Sequence, residues 1–271
     1  MTDQLTSVVI VGARGRMGKT LLRTVMESEN MTLVGAVDRT GGPGLEMDAG
    51  RLCGMPDCGV TVWDRMDPPR GAVVVDFSLP RATERNIRRC LELRAPLVLG
   101  TTGIDADTRA LLKEAAKELP IVSAANFSVG VTLLNQLSAL AAKSLGPDWD
   151  AELVELHHRH KRDAPSGTAI RIGKSVAAAQ GRRFDEVAVM SREKADRARS
   201  NEEIGVLSMR GGDSVGEHTL MFFGEGERIE LTHRAMDRGI FANGALRAAR
   251  WLRNREPGLY DMVDVLELGH I

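Results

Sequence analysis

A glycine-rich turn between an apolar strand and a helix constrains the fold of this chain more than any other feature. Ser7–Val11 reads as a buried β-strand, and Gly12, Gly15 and Gly18 follow it at intervals of three residues. Gly12 permits a tight turn, Gly15 lets the main chain approach a pyrophosphate, and Gly18 allows close helix–strand packing. Free N–H groups at the start of the helix also favour phosphate. The turn therefore predicts a dinucleotide site.

An acidic residue stands where such a site needs one. Asp38 follows a second apolar run, Leu33–Val37, and lies 20 residues after Gly18. An acid at this place binds the ribose hydroxyls of NAD, whereas Arg39, or Arg16 in the turn, would neutralise the 2′-phosphate of NADP. We therefore expect NADH or NADPH as cofactor. The spacing G-x-x-G-x-x-G is not the commonest one, so a plain strand-to-helix turn is the alternative for the glycines alone.

Apolar and helical segments alternate up to Asn126 and follow a different pattern beyond it. In the first part each predicted strand is apolar throughout, which indicates a parallel sheet with helices on both faces. In the second part mixed strands and helices predict an α+β domain whose exposed sheet face would support self-association. Predicted strands after the second are Val60–Trp63, Ala72–Asp76, Leu97–Leu99, Ile121–Ser123, Ala151–Leu156, Thr219–Phe223 and Ile229–Thr232.

Composition excludes several classes of partner. The 36 Lys and Arg residues balance 37 Asp and Glu residues, and aromatic residues make up 4% of the chain, so nothing favours nucleic acid or a membrane surface. Cys53, Cys58 and Cys90 form neither a disulfide framework nor a zinc pattern. No apolar run approaches the roughly 20 residues of a membrane helix, and no signal peptide is evident. We expect a cytoplasmic protein.

Half of the six histidines fall in one basic cluster, residues 157–162. Pro165 and Gly167 mark a loop behind it, and a helix that begins near Thr168 would favour an anion. One interpretation is a solvated basic loop, and a second is a metal site that uses His158 and His160 on one strand face. The third is an active site in which cations hold carboxylates and a histidine or lysine transfers a proton.

The cluster lies within a longer run, Glu152–Ala169, that resembles the signature of the dihydrodipicolinate reductase family, whose members are 4-hydroxy-tetrahydrodipicolinate reductases. The similarity extends over nearly the whole chain. It includes the glycine turn, residues 100–103, 124–130, 210–218 and 241–245. A nucleotide-binding protein without catalysis and a dehydrogenase of another small amino or imino acid share the nucleotide fold, but neither accounts for the whole run from His157 to Thr168.

The resemblance implies a fold, a reaction and an assembly. The fold is α/β, with a Rossmann-type dinucleotide-binding domain at residues 1–126, completed by residues 240–271. A substrate-binding and tetramerisation domain with a mixed open sheet occupies residues 127–239. The reaction reduces the dehydrated form of 4-hydroxy-tetrahydrodipicolinate to tetrahydrodipicolinate, in lysine biosynthesis through diaminopimelate. Hydride reaches C4 of the ring and a proton reaches the adjacent carbon, with NADH or NADPH as reductant and a homotetramer as the assembly.

The resemblance also implies roles for individual residues. His157 would donate or accept a proton, and Lys161 would be a second proton donor. His158, Gly167 and Thr168 would bind the dicarboxylate substrate, and no metal is implied. Many relatives have Glu where this chain has Asp38, which leaves the balance between NADH and NADPH open. The implied cofactor-binding residues are Gly12, Ala13, Arg14, Gly15, Arg16, Met17, Asp38, Arg39, Gly100, Thr101, Thr102, Ala124, Ala125, Asn126 and Phe127.

Overall fold

In the computed structural model, which describes residues 5–193 and 196–269, the apolar segments before residue 128 form a parallel sheet. Its strands run in the order β6-β5-β4-β1-β2-β3. Every neighbouring pair is parallel. The strands are β1 (Thr6–Val11), β2 (Met31–Val37), β3 (Val62–Trp63), β4 (Val73–Asp76), β5 (Leu97–Leu99) and β6 (Pro120–Ser123).

Helices connect these strands, and their apolar side chains cover the sheet. α1 buries Leu21, Leu22 and Val25. α3 begins with a proline, whose fixed φ suits the first helical turn. α4 begins after Asp105, whose side chain accepts a hydrogen bond from the Thr108 N–H. The helices are α1 (Arg16–Met26), α2 (Ala49–Cys53), α3 (Pro80–Leu93) and α4 (Ala106–Ala115).

A second sheet is mixed and has the order β11-β10-β7-β9-β8. β7 is antiparallel to β10 and parallel to β9. Buried and half-buried residues alternate along β7, so one sheet face packs against helices. The elements are α5 (Val129–Leu145), β7 (Asp150–His157), α6 (Gly167–Ala179), α7 (Phe184–Val187), β8 (Ala188–Val189), β9 (Ile204–Arg210), β10 (Gly216–Phe223) and β11 (Arg228–Ala235).

The chain then returns to the first sheet. α8 (Gly239–Leu252) packs against α1 and β4, and α9 (Met262–Val265) packs against α8. Between these helices, β12 (Gly258–Tyr260) pairs in parallel with β6 and extends the sheet to seven strands.

Two compact units result. Described residues within Met1–Ser128 and Gly239–Glu267 form the first unit, and Val129–Arg238 with the described part of Leu268–Ile271 form the second. The predicted α/β fold, with a Rossmann-type parallel sheet and a mixed second sheet, is confirmed. Residues 1–4 and 270–271, which the predicted nucleotide-binding domain includes, lie outside the described residues. In the part of the chain that is described, no helix is both long and apolar enough to span a bilayer.

Three strands, β8, β9 and β12, were not predicted. β8 has two residues, both half-buried. β9 follows a polar stretch and buries only its first three residues, so its sequence shows no alternation. β12 has three residues and none of them is fully buried. None of the three has the periodicity that marks a strand in a sequence, because each is stabilised by pairing with another strand.

Candidate active site

The glycine turn after β1 leaves no room for side chains at two of its positions. Gly12 has a φ of +83°, which favours glycine, and a Cβ there would lie 2.9 Å from the Phe77 carbonyl oxygen. A Cβ at Gly18 would lie 2.1 Å from the Gly12 carbonyl oxygen, whereas one at Gly15 would lie 3.1 Å from it. Gly12 and Gly18 are therefore needed for the fold of the turn, whereas Gly15, just before α1, is less crowded.

Asp38, the residue that follows β2, accepts three hydrogen bonds. The Arg14 main-chain N–H donates to Oδ2 at 2.8 Å, and the Arg14 guanidinium donates to Oδ1 at 3.0 Å. The Arg39 N–H donates to Oδ1 at 2.8 Å. Partial burial by itself raises the pKa of Asp38, but these hydrogen bonds outweigh it, so the pKa is lower than usual and the carboxylate is ionised.

The same Arg14 guanidinium holds the loop after Asp38. It donates to the carbonyl oxygens of Arg39 at 2.7 Å, Gly41 at 2.7 Å and Pro43 at 3.2 Å. Gly41 has positive φ, so the loop is tightly bent where the arginine holds it. Arg14 therefore fixes both the acid and the main chain at one wall of the crevice.

A cavity of about 520 Å³ lies at this edge of the sheet. Gly12, Arg14, Gly15, Asp38 and Arg39, five of the residues implied to bind cofactor, line it. Phe77 and Ser78, which follow β4, also line it. Several lining residues on α1 and α3 were not predicted from the sequence: Lys19, Arg81, Arg85 and Asn86.

Two further implied cofactor residues, Gly100 and Phe127, lie beside Phe77. A Cβ at Gly100 would lie 2.3 Å from the Phe77 ring, and the Phe127 ring centroid is 5.4 Å from that of Phe77. Thr101 Oγ1 donates to the Ser78 carbonyl oxygen at 3.2 Å. Residues 100–102 and 124–127 follow β5 and β6 and support the loop behind β4, while Ala13, Arg16 and Met17 belong to the turn and to the start of α1.

In the second unit, His157 and Glu155 lie on the buried face of β7. They are two residues apart, so both side chains point to the same side of the sheet. His157 Nδ1 is 2.5 Å from Glu155 Oε2. The Glu155 side chain has no exposed surface, and that of His157 is 11% exposed. The last residue of the strand thus presents a ring whose Nδ1 contacts a buried carboxylate.

Glu155 is further bound by Arg210 and by the main chain. Arg210 Nη1 donates to Oε2 and Nη2 donates to Oε1, both at 2.8 Å. The Ser166 N–H donates to Oε1 at 3.1 Å. Burial by itself raises the pKa of Glu155, but the hydrogen bonds from Arg210, Ser208 and His157 outweigh it and the pKa is lowered to about 2. Glu155 is therefore a buried anion.

His218, on β10, lies edge-on to His157, with ring centroids 5.3 Å apart. Its Nε2 is 3.1 Å from Ser166 Oγ, which also accepts the Ala169 N–H and caps α6. Burial and the neighbouring His157 lower the pKa of His218 to about 4. Burial also lowers the pKa of His157, as do the charges of Lys161 and Arg210, while Glu155 raises it. At neutral pH His218 is uncharged.

The implied substrate-binding residues follow β7. Lys161 Nζ is 2.8 Å from Asp163 Oδ2, and the Lys161 side chain is 22% exposed. The His158 N–H donates to the Ser214 carbonyl oxygen, while its own Nδ1 is buried and has no hydrogen-bond partner within the described residues. Gly167 and Thr168 begin α6, and a Cβ at Gly167 would meet nothing within 4 Å. The start of α6 is thus open to an anion.

The geometry corrects one interpretation of the histidines. β7 ends at His157, so His158 and His160 lie in the turn behind it and do not share a strand face. Residues 5–193 and 196–269 contain no group of three or more His, Cys, Asp or Glu side chains placed to hold a metal ion.

Four residues of this buried cluster were not assigned from the sequence: Glu155, Ser166, Arg210 and His218. The spacing of Glu155 and His157 was an available signal, because alternate strand residues share a face. Arg210 and His218 bound a segment that contributes to the family resemblance, but their neighbours in the sequence do not indicate that they contact Glu155 and His157. They reach the cluster through strand register, in which His157 pairs with Arg210 on β9 and Glu155 pairs with His218 on β10.

Comparison with known proteins gives matches across both units. Residues 6–127 match the N-terminal family model of dihydrodipicolinate reductase, and residues 130–266 match the C-terminal one. The 4-hydroxy-tetrahydrodipicolinate reductase of Pseudomonas fluorescens is 48% identical over 96% of this chain and 98% of that protein. The enzyme of the same name from Alkalilimnicola ehrlichii is 48% identical over 97% and 99%.

A solved structure is similar in fold. It is the dipicolinate-bound dihydrodipicolinate reductase of Paenisporosarcina sp. TG-14, with a TM-score of 0.77 and 26% sequence identity. The match covers 96% of this chain and 99% of that one. The similarity therefore includes the mixed sheet as well as the nucleotide fold.

Proposed function

The chain belongs to the dihydrodipicolinate reductase family, and from this premise we infer that it is a 4-hydroxy-tetrahydrodipicolinate reductase. It is an NAD(P)H-dependent oxidoreductase of lysine biosynthesis through diaminopimelate. The observation that carries this conclusion is that the two family matches contain both the glycine turn and the His157 cluster. The reaction is the reduction of dehydrated 4-hydroxy-tetrahydrodipicolinate to tetrahydrodipicolinate.

The residues of the first unit fit a dinucleotide. A Cβ at Gly12 or Gly18 would overlap main-chain atoms, which is the close packing that such a turn requires, and Gly15 opens onto the cavity. When bound, the reduced nicotinamide supplies a hydride to C4 of the substrate ring. The main chain of Gly12 to Gly15 would hold the pyrophosphate, and Asp38 would accept hydrogen bonds from the adenosine ribose.

We propose that both NADH and NADPH are used. Ionised Asp38 is the acceptor that ribose hydroxyls need, but its charge would repel a 2′-phosphate. Arg14 partly neutralises that charge at 3.0 Å, and Arg39 contributes a second cation at the cavity. Similar steady-state rates with the two cofactors are expected, and a strict requirement for one of them would contradict this proposal.

In the second unit, His157 would supply the proton that the reduced ring needs. Hydride addition places negative charge on the substrate, and an acid in contact with it stabilises that charge. Lys161 would be a second proton donor once it leaves Asp163, its partner in this structure. Because His157 must be protonated to act as an acid, kcat should fall as the pH rises above its pKa.

The dicarboxylate substrate would bind at the start of α6. Gly167 and Thr168 offer main-chain N–H groups and a hydroxyl there, and His158 lies after the same strand as His157. Two buried imidazole nitrogens, His158 Nδ1 and His218 Nδ1, have no hydrogen-bond partner within the described residues. Such orphaned polar atoms fit a polar ligand, since buried polar groups are normally hydrogen-bonded.

We also propose a cytoplasmic homotetramer built on the mixed sheet. Val154 and Leu156 are half-buried on the face of β7 opposite His157. Leu207 and Met209 on β9, which pair with them in register, are 37% and 54% exposed. An apolar face of this kind supports self-association. A monomer in analytical ultracentrifugation would contradict the proposal.

Steady-state kinetics with freshly generated 4-hydroxy-tetrahydrodipicolinate tests the function directly. We expect substrate-dependent oxidation of NADH and NADPH. No turnover with either cofactor would overturn the assignment, and binding of the cofactor without turnover would favour a nucleotide-binding protein instead.

His157→Gln tests the role of the histidine. We expect kcat to fall by about 100-fold or more while the Kd of NADPH stays the same, because the variant loses a proton donor and keeps the cofactor crevice. His160→Gln is the matched control, since it makes the same change at an exposed histidine of the same segment. An unchanged kcat in His157→Gln would remove His157 from this role.

A further inference from the structure

We propose that Glu155 and Arg210 are positioning residues for His157. The Glu155 carboxylate fixes the proton on Nδ1 of the ring, so that Nε2 is the nitrogen that exchanges a proton with the substrate. This inference rests on the proposed function, because it assigns an atom to the role given there to His157. It adds two residues, one on the same strand and one on β9.

The partners of Glu155 decide which atom carries the hydrogen between Glu155 and His157. Oε1 accepts from Arg210 Nη2 and from the Ser166 N–H, and Oε2 accepts from Arg210 Nη1. The Ser208 side chain is a further donor to this carboxylate, and His157 Nδ1 contacts Oε2. Because Glu155 is ionised it has no proton to donate, so Nδ1 must carry the hydrogen. Nε2 of a neutral His157 is then an acceptor, and Nε2 of a charged one is a donor.

Arg210 keeps this arrangement in place. In the absence of a nearby cation, a carboxylate with no exposed surface would take up a proton. The bidentate Arg210 guanidinium supplies that cation and keeps Glu155 ionised. A protonated Glu155 would become a donor, and Nδ1 would have to lose its hydrogen to accept from it. Arg210 therefore acts on the ring through Glu155, and its own place is set by the register of β9 against β7.

Packing restricts the ring from other sides. Gly216, at the start of β10, lies so close that a Cβ there would be 2.8 Å from His157 Nε2 and 3.1 Å from Cδ2. The His218 ring meets that of His157 edge-on at an interplanar angle of 80°. A larger residue at position 216 would press on Nε2 directly. The glycine thus leaves the reactive nitrogen uncovered by a side chain on this side.

The charges that face His157 give the sign of the pH effect. Glu155 on its own strand raises the pKa of the ring, whereas Lys161 in the following loop and Arg210 on β9 lower it. His218 on β10 is a further titratable group in contact with the ring. Glu155 is thus the anion that favours the protonated ring, and replacing it with an uncharged amide should lower the pKa of His157.

The test is Glu155→Gln in the full chain. We expect kcat to fall by about 100-fold or more, since an acid that holds a catalytic histidine in one tautomer has effects of this size. The pH above which kcat falls should move down by about one unit or more. The Kd of NADPH should stay the same. Glu155→Asp should recover part of the activity, because it restores the charge at a longer distance.

Glu152→Gln is the matched control. Glu152 is on the same strand, on the opposite face, and it also pairs with arginines, Arg192 at 2.7 Å and Arg199 at 3.0 Å. The control removes the same charge from the same strand while leaving the His157 ring untouched. We expect the wild-type pH profile.

A ring tautomer measurement is independent of activity. Long-range ¹H–¹⁵N correlation on protein labelled at histidine gives the protonated nitrogen of each ring, and the His157 signal is the one absent from His157→Gln. We expect Nδ1–H in the neutral wild-type ring and a loss of that preference in Glu155→Gln. If Glu155→Gln does not fold, the wild-type spectrum and Glu155→Asp still decide the question.

The possible failures are distinct. If the wild-type ring carries its proton on Nε2, or if Glu155→Gln keeps the wild-type kcat and pH profile while His157→Gln is inactive, the positioning role is wrong and the proposed function stands. If His157→Gln is fully active, the proposed role of His157 is wrong, and the positioning role is overturned with it.

Discussion

The crevice at the glycine turn and the buried histidine cluster each contain an arginine–carboxylate pair, and the two pairs act differently. Asp38 and Arg14 are 13% and 12% exposed, and the remaining Arg14 donors hold main-chain carbonyl oxygens. Glu155 has no exposed surface, and besides Arg210 its carboxylate contacts a histidine ring. In the first pair the arginine shapes a wall, and in the second the carboxylate orients a titratable group.

The comparison shows that surroundings decide what such a pair contributes. Asp38 lies near a cavity, and its lowered pKa keeps the carboxylate ionised. The carboxylate would then accept hydrogen bonds from ribose hydroxyls. In the interior, an anion without its partner would be strongly unfavourable, so the Glu155 and Arg210 pair is tightly specified. We therefore expect the crevice to depend most on main-chain shape, and the cluster to depend most on protonation.

The largest expected effect comes from a substitution that disturbs the main-chain packing of the glycine turn. Gly18→Ala should reduce the free energy of unfolding by about 4 kcal/mol or more, because the new Cβ would overlap main-chain atoms of the turn at 2.1 and 2.7 Å. Urea denaturation measures the loss. If the free energy of unfolding is unchanged, close packing of the turn is not what Gly18 provides.

Gly15→Ala tests whether Gly15 has a different role from Gly18. Gly15 has φ −66° and ψ 163°, which alanine adopts readily, and its Cβ would lie 3.1 Å from the nearest atom. We expect the stability to change little, while the Kd of NADH in a fluorescence titration rises because the methyl group occupies the path of the pyrophosphate. Equal loss of stability in both variants would contradict the division of roles between the two glycines.

The next effect concerns protonation in the cluster. The pKa of His218 is lowered from 6.5 to about 4 by burial and by His157. A group whose pKa is lowered on folding contributes stability above its unfolded pKa and loses it as the pH falls. His218 should therefore account for a decrease of about 3 kcal/mol in the free energy of unfolding between pH 6.5 and pH 4.

Denaturation curves at several pH values test this, with His218→Gln for comparison. The variant should be less stable than the wild type at pH 7, since it alters the contact with Ser166, and its stability should depend less on pH between 6.5 and 4. The same pH dependence in both proteins would show that His218 is not the buried neutral base described above.

The smallest expected effect concerns the polar wall of the crevice. Arg14→Ala should raise the Kd of NADPH by about tenfold and that of NADH by less, because Asp38 then faces a 2′-phosphate without its cation. Fluorescence titrations with both cofactors measure the difference. Arg88→Ala is the control, because Arg88 is exposed and pairs with Glu84. An equal change for NADPH and NADH would mean that Arg14 acts only by holding the loop.

Local sequence signals predicted the first unit well. Leu97–Leu99 is a short, fully apolar strand and was predicted with its observed bounds. The glycine turn and Asp38 could be identified because their geometry is set by neighbours in the sequence. Lys19, Arg81 and Arg85 were missed, because a cation on a helix gives no sign that it faces a cavity.

The buried cluster could be predicted only in part. His157 was identified through a charge cluster and a family resemblance, but Arg210 lies 55 residues from Glu155. The contact exists because β9 runs parallel to β7 in one register, and a shift by one residue would turn Arg210 to the other face. Register depends on tertiary packing, so pattern and composition could not show it.

The pairing of β12 with β6 has a consequence for the order of folding. The edge of the first sheet next to β6 is completed by residues 258–260, more than a hundred positions after Ser123. During synthesis the first 128 residues leave the ribosome with that edge open, and α8, which packs against β1, β4, β5 and β6, follows only after the whole second unit. Open strand edges favour association with other chains. A nascent first unit therefore carries an aggregation risk that ends only when the chain returns to it, and the second unit can fold first.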